Sequence, residues 1–348
     1  MINKSKTPTS SPDCTLNSVA IVGAGLAGLS AAILLQQMGC QVTLFEKSRG
    51  PGGRLSAKRV KGGSADMGAQ YFTIRNPQFR HFLDQYAGSE AYAPWHGRFG
   101  YQLASGQWEP FPDKERYVGV PRMTAISRAL SENINLVAET RIENLHRESG
   151  GWVLQSTGGT RSGPFDAVVI TAPPAQAREL LANSQLTDLA ARLDEPVRHV
   201  QPCWAVAAHF PEPPFESFDG MRVRSEILSW VGNNSTKPGR NDSGQWWVLH
   251  AASEWSLANQ DEPAEEVADR MIDEFMAVTG AMTRPDDQIA HRWLYAKSSD
   301  PARPGHLWFS DERIGLAGDW LSGGRVEGAF DSASALVRSL TMATYKSG

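Results

Sequence analysis

The stretch Val19-Ala20-Ile21-Val22-Gly23-Ala24-Gly25-Leu26-Ala27-Gly28 decides how the rest of the chain is read. Val19 to Val22 is a short apolar run of the kind that forms a buried strand. Leu26, Leu29 and Ile33 follow at helical spacing, and Gly39 stands where the helix stops. Gln41 to Phe45 is a second strand, ending at Glu46. The order is strand, helix, strand, so the crossover should be right-handed. Gly23, Gly25 and Gly28 match G-x-G-x-x-G at the strand-to-helix turn. The first glycine allows the tight turn, the second lets a pyrophosphate approach the backbone, and the third lets helix and strand touch. The helix start adds free N–H groups and about half a positive charge. Glu46 lies 18 residues past Gly28, where its carboxylate accepts ribose hydroxyls and repels a 2′-phosphate. Gly23, Ala24, Gly25, Leu26, Ala27, Gly28 and Glu46 are therefore the first candidate cofactor contacts. A Gly-rich turn in a generic α/β domain is the plainer reading of the glycines, but it leaves the acid at the second strand's end unexplained.

Taken alone, Val19 to Leu35 is apolar enough to suggest a signal peptide or a membrane span. It falls short of the ~20 residues a span needs. No small-x-small cleavage pattern follows it either. The glycine spacing accounts for it better.

Further out, composition limits the options. The 348 residues are 41% hydrophobic and 21% charged, enough for a large core without disulfides or metal. A net charge of −4 weighs against a nucleic-acid or anionic-membrane binder. Cys14, Cys40 and Cys203 form neither a disulfide framework nor a metal cluster, so we expect no metal and a reduced, cytoplasmic setting. Residues 1–17 are rich in Ser, Thr and Pro and read as a mobile tail. Met123 to Leu130 suits a helix, Leu136 to Ala138 a strand, and Trp152 to Leu154 part of a hairpin. Asp166 to Thr171 is a β-branched run typical of a parallel strand buried on both faces. From about 197 the pattern becomes strands separated by Pro, Gly and Asn turns: Cys203–Phe210, Glu226–Val231, Gln245–His250 and Ile289–Tyr295. Ala264 to Val278 is an amphipathic helix. Of 11 Trp residues, eight lie after residue 200, which points to an apolar site or core there.

A plain NAD domain has no need of Lys47-Ser48-Arg49-Gly50-Pro51-Gly52-Gly53-Arg54, a cationic Gly-rich loop just past the ribose acid. Extended FAD does need backbone donors and a cation there. The segment resembles the GG-R motif of the flavin amine oxidase superfamily and adds Lys47, Gly53 and Arg54 as cofactor candidates. Ile314 to Trp320 is a strand ending in Gly318-Asp319. In that superfamily such an Asp meets the ribityl hydroxyls. Gly323-Gly324-Arg325-Val326-Glu327-Gly328-Ala329 then opens a helix. The resemblance implies that its start, with Arg325, Val326, Glu327 and Ala329, faces the flavin N1/O2 edge.

Four further segments narrow the resemblance: Asp66 to Thr73, Gly119 to Met123, His291 to Ala296 and Arg325 to Ala329. Together they are similar to the bacterial renalases, over about residues 18 to 345. The resemblance implies an α/β protein of the p-hydroxybenzoate-hydroxylase type. Residues 18–76, 118–190 and 311–345 would form a discontinuous Rossmann-type FAD-binding domain. Residues 77–117 and 191–310 would form a mostly antiparallel substrate domain. It also implies noncovalent FAD, since no Cys stands near the final helix. The implied activity is oxidation of 2- and 6-dihydro isomers of NAD(P), returning NAD(P)+ and, with O2, hydrogen peroxide.

That chemistry removes hydride and needs no base, only flat walls and dry orientation. The candidates are Trp204, Trp230, Trp255, Trp293 and Tyr295. His291, Trp293 and Tyr295 should share one strand face by alternation, with Arg292 pointing away into an ion pair. His250 could orient a substrate amide or be an ordinary core His. Lys297 invites comparison with a lysine near flavin N5 in amine oxidases. Gln70 is expected near the polar edge of the isoalloxazine, with Asp66 either beside it or in a turn. The expected partners are a dihydronicotinamide dinucleotide and O2, with no nucleic acid and no membrane. Two alternatives remain: an amine oxidase or other dehydrogenase of the same superfamily, and a flavin-binding protein without turnover.

Overall fold

Strand Ser18–Val22 lies inside a six-stranded sheet. The computed structural model describes residues 16–300 and 302–344. Across this sheet the order is Leu307–Phe309, Ile314–Leu316, Ala167–Ile170, Ser18–Val22, Gln41–Phe45 and Asn135–Val137. All neighbours are parallel except the first pair. Val19, Ala20, Ile21 and Val168 to Ile170 are fully buried, because helices cover one face of the sheet and the other is covered by a three-stranded antiparallel sheet (Ile142–Glu148, Gly151–Ser156, Arg161–Phe165) with helix Pro174–Asn183. Helix Leu26–Gln37 is buried nearly all round because it is wedged between this sheet and the last helix, Val326–Thr344. The apolar run from Val19 to Leu35 is thus a core strand and a core helix. Among the described residues no helix is long and apolar enough to cross a membrane.

The second sheet has seven strands, ordered Asp287–Ser298, Val200–Phe210, Gln245–Ala251, Leu228–Asn233, Gly220–Arg222, Phe99–Gln102 and Trp108–Pro110. It is antiparallel apart from the contact between Gly220–Arg222 and Phe99–Gln102. Alternation gives it two apolar faces. Val206, Ala208, Val231 and Leu249 meet helix Ala264–Thr279 through Val267, Met271, Ile272 and Phe275. Ala205, Ala207 and Val248 face the other way, toward Ala65 and Met67.

Three expectations are corrected. The tail 1–17 lies outside the described residues up to 15, but Leu16 is buried and Asn17 already bonds the sheet, its carbonyl accepting the Gln41 N–H at 2.7 Å. The stretch 77–117 is split. Helix Pro77–Tyr86 packs Phe79 and Phe82 on Phe330 of the last helix (ring centroids 5.3 and 4.9 Å), and only 99–110 joins the seven-stranded sheet. Leu307–Phe309, placed with the second unit by its neighbours in sequence, is an edge strand of the first sheet.

Candidate active site

The two sheets flank one cavity of about 2260 Å³. That is more than twice the ~1,000 Å³ of a large single-ligand pocket. Its nucleotide end starts at the glycine loop. Gly23 has φ +108°, and Thr171 Oγ1 donates to its carbonyl at 2.8 Å. A Cβ on Gly28 would stand 1.9 Å from that same carbonyl, whereas one on Gly25 would meet nothing within 4 Å. The first and third glycines therefore close the turn, and the second leaves the helix start open to the cavity. No side chain caps that helix start. These are the features a pyrophosphate needs.

Glu46 is buried, and its two carboxylate oxygens accept the Ala24 and Ser48 N–H groups, each at 2.8 Å. Each oxygen keeps a lone pair for a hydroxyl. Burial lowers the neighbouring Lys47 ammonium below the ordinary lysine range, partly offset by Glu46. The second glycine loop lies on the first: Gly52 N–H donates to Ala24 O at 2.9 Å, and a Cβ on Gly53 would touch Gly25 Cα at 3.4 Å. Arg54 reaches across the cavity to Asp319 in a two-pronged pair, and also to the Ala296 carbonyl at 3.1 Å. The cation expected on the cofactor chain and the acid expected on its ribityl group hold each other. Gly318 N–H is fixed by Ser332 Oγ at 2.9 Å. Arg325, Val326 and Ala329 line the cavity at the start of the last helix, where first-turn N–H groups have no helical acceptor. The Glu327 carboxylate is used elsewhere: Oε1 accepts the Arg75 and Asn76 N–H groups at 2.6 Å each.

The other end is set by Met67 and Asp66. The Met67 carbonyl accepts Trp293 Nε1–H at 2.9 Å and His250 Nε2 at 3.0 Å. A carbonyl only accepts, so the His250 proton sits on Nε2 and Nδ1 is an acceptor. His291 stands edge-on to Trp293, ring centroids 4.5 Å apart. Burial, then Lys297, pushes His250 down to about 3; burial, then Lys58, pushes His291 down to about 4. Both imidazoles are neutral at pH 7.

Alternation along the outer strand ends at Trp293. Trp293 pairs with Cys203 and Lys297 with Gln201, so three residues bulge against one. Leu294 therefore reaches the cavity as well as Trp293, Tyr295 and Lys297, and Tyr295 does not follow from His291 by simple counting. Arg292 is engaged by the Gln260 carbonyl and by Asp261. Of the other aromatic candidates, Trp230 lines the cavity. Trp204 and Trp255 belong to the helix-covered face, where Trp204 Nε1 donates to Asn259 O at 2.9 Å.

Gln70 is also at the cavity, but its amide is turned inward. Nε2 donates to the Asp66 and Gly68 carbonyls, and Oε1 accepts from Lys237 Nζ at 3.4 Å. In this arrangement the amide supports the cavity wall rather than offering itself to a flavin edge. Asp66 is no turn residue. It is fully buried, and one oxygen takes both Lys237 (3.2 Å) and Arg240 while the other accepts Met123 N–H at 3.0 Å. Burial would raise its pKa, but Lys237 and Arg240 outweigh this and hold it below the usual carboxylate range. Burial brings Lys237 to about 8 despite the attraction of Asp66. Sequence reasoning missed Lys237 and Arg240, which stand in a Lys-Pro-Gly-Arg turn with no periodic signal. It also missed Cys203, which lines the cavity with a thiol that burial pushes up to about 11. Among the described residues no group of three or more His, Cys, Asp or Glu could hold a metal.

A glycine cradle beside a large cavity defines a dinucleotide-binding protein. Residues 21–86 match the family of NAD(P)-binding Rossmann-like domains, and residues 111–338 match the flavin containing amine oxidoreductases. The chain belongs to the flavin-containing amine oxidoreductase family, and its cofactor is FAD. It is similar to hydroxyneurosporene desaturase of Rubrivivax gelatinosus, 46% identical over 57 residues, 16% of this chain and 11% of that protein. It is also similar to protoporphyrinogen oxidase 2 of Arabidopsis thaliana, 34% identical over 108 residues, 30% and 18% of the two chains. The chain thus covers less than a fifth of either relative's length. Among solved structures, cyclohexylamine oxidase from Brevibacterium oxydans IH-35A superposes with a TM-score of 0.67 at 13% identity, over 95% of this chain and 100% of that one. Putrescine oxidase bound to putrescine gives 0.67 at 12% identity, over 95% and 99%. These likenesses establish the fold.

Proposed function

We propose that the protein oxidises a dihydronicotinamide dinucleotide of the 2- or 6-dihydro type. The observation that carries this is the charge of the cavity. Its lining holds fifteen Lys and Arg against six Asp and Glu, in a chain of net charge −4, and twelve of the cations remain once the ion-paired Arg54, Arg141 and Arg292 are set aside. The FAD pyrophosphate offsets part of that excess, and a second anionic molecule fits the remainder. A protonated amine is best matched by a carboxylate. Of the six acids, Asp319 and Glu179 pair with Arg54 and Arg141, while Glu46 and Glu327 accept backbone N–H groups. Glu139 and Glu143 stand at the Glu46 end, where Thr140 N–H bonds the Glu46 carbonyl at 2.8 Å. This leaves the amine-oxidase reading, which rests on the family, without a carboxylate beside Trp293 among the described residues.

Bound FAD supplies the acceptor for the hydride leaving the dihydropyridine as NAD(P)+, and O2 then takes the electron pair with protons to give hydrogen peroxide. The chain's part is positioning. Trp293 is fixed by Met67 and backed by His291, so a flat ring has a fixed wall. His250 Nδ1 is an acceptor suited to a carboxamide N–H. Neutral imidazoles add no charge that would oppose the cationic product. The flavin is held without a covalent bond, since no Cys stands near the start of the last helix.

The test is aerobic turnover. A 2- or 6-dihydro isomer should give one peroxide per NAD+ formed, and Trp293→Ala should slow it roughly tenfold or more while FAD stays bound. Peroxide from amines and none from either isomer would refute the reading.

A further inference from the structure

The cavity face of the seven-stranded sheet carries one row of side chains. His291 lies opposite Ala205, Ala205 opposite His250, His250 opposite Trp230, Trp230 opposite Arg222, and Arg222 opposite Tyr101. Residues directly opposite point to the same face. At ~4.8 Å per strand, Arg222 is roughly 10 Å along this row from His250.

That end of the row is built around Phe111. Its ring lies 6.0 Å from Tyr101 and 6.2 Å from Trp230. The Arg222 guanidinium sits 5.8 Å from the ring centroid and Arg116 5.0 Å. Arg116 is also 4.6 Å over Phe99, and its own loop holds it through the Lys114 (2.8 Å) and Pro112 (3.2 Å) carbonyls. Among the described residues neither guanidinium forms a salt bridge, although both line the cavity. Two guanidinium groups without a carboxylate partner, held on one ring, suit a multivalent oxyanion.

We infer that Arg116 and Arg222, clamped on Phe111, form a phosphate-binding subsite that takes the pyrophosphate of the substrate. This rests on the dinucleotide reading and places the substrate's non-reacting half. It separates substrates by what they carry beyond the ring: a dihydronicotinamide riboside lacks the anion and should not profit from the subsite.

Two arms on the FAD-loaded protein test it. In the first, kcat/KM is compared for a dihydro-NAD isomer and the matching dihydronicotinamide riboside. Arg222→Ala should lower the dinucleotide-to-riboside ratio roughly tenfold through KM, Arg116→Ala similarly, and Arg222→Lys should restore part of it. An unchanged ratio in both alanine variants overturns the subsite. In the second arm, ADP-ribose, inorganic pyrophosphate and succinate are titrated against tryptophan fluorescence without turnover. Wild type should bind the two phosphate compounds and Arg222→Ala should bind them roughly tenfold more weakly, with the difference shrinking in high salt. Equal binding by wild type and variant, or binding of succinate alone, overturns it. Because this arm needs no reaction, loss of the subsite is read separately from loss of the proposed activity. FAD absorbance in each variant confirms that the fold is intact, and Arg222, exposed on its strand, tolerates replacement.

Discussion

The cavity's two ends are made in different ways. The nucleotide end is local: glycines within six residues, an acid at the next strand's end and a second glycine loop lying on the first. Its chemistry is mostly backbone, and side chains matter there chiefly by being absent. The other end is assembled across the sheet. Met67 meets Trp293, Asp66 meets Lys237 and Arg240, and Arg222 reaches the cavity only through the register of five strands. Damage to the first end should therefore lose a cofactor, whereas damage to the second should lose architecture or specificity.

The sharpest break is at Asp66. Removing its carboxylate leaves Lys237 and Arg240 as uncompensated buried charges, at a cost of about 3–5 kcal/mol. Asp66→Ala should lower the urea midpoint accordingly, and adding Lys237→Met should recover part of the loss. A change under about 1 kcal/mol would mean that the buried cluster does not hold this end together.

The glycines give the converse test. Gly28→Ala forces a Cβ against Gly23 O and should destabilise the protein by about 1–3 kcal/mol even without cofactor. Gly25→Ala has room for its methyl and should leave apoprotein stability within about 0.5 kcal/mol. Its FAD affinity should fall roughly a hundredfold, because the methyl fills the space the pyrophosphate needs. Equal effects of the two substitutions on apoprotein melting would erase the distinction.

The third test is with pH. His250 and His291 are held neutral, so the unfolded chain binds more protons than the folded chain below the free imidazole value of ~6.5. Their stabilising contribution is complete above that value and is lost as the pH falls toward about 4 and about 3. Urea midpoints should drop between pH 7 and pH 4.5, and His291→Gln should flatten the drop. A midpoint that rises on acidification would contradict the assignment.

The same contrast explains what could be read from the sequence. The glycine loops, Glu46 and the Asp319 turn are contiguous motifs whose physics is local, so position in the chain was enough to place them. Strand Asp287–Ser298 was legible as a strand, but its bulge after Trp293 was not, because a bulge is a property of the pair and not of one strand. Trp204 and Trp293 look alike in sequence and fall on opposite faces once the sheet pairs. Lys237 was invisible because its partner lies 171 residues away and its own segment reads as a turn. Helix Pro77–Tyr86 buries Phe79, Phe82 and Leu83, and that stripe alone does not say which core receives it.

The most direct measurement is anaerobic mixing of the oxidised, FAD-loaded protein with one reductant at a time, following flavin absorbance. The account predicts rapid bleaching by the 2- or 6-dihydro-NAD isomer, much slower bleaching by ordinary NADH, and none by putrescine or cyclohexylamine. Bleaching by an amine with no response to either isomer would contradict it.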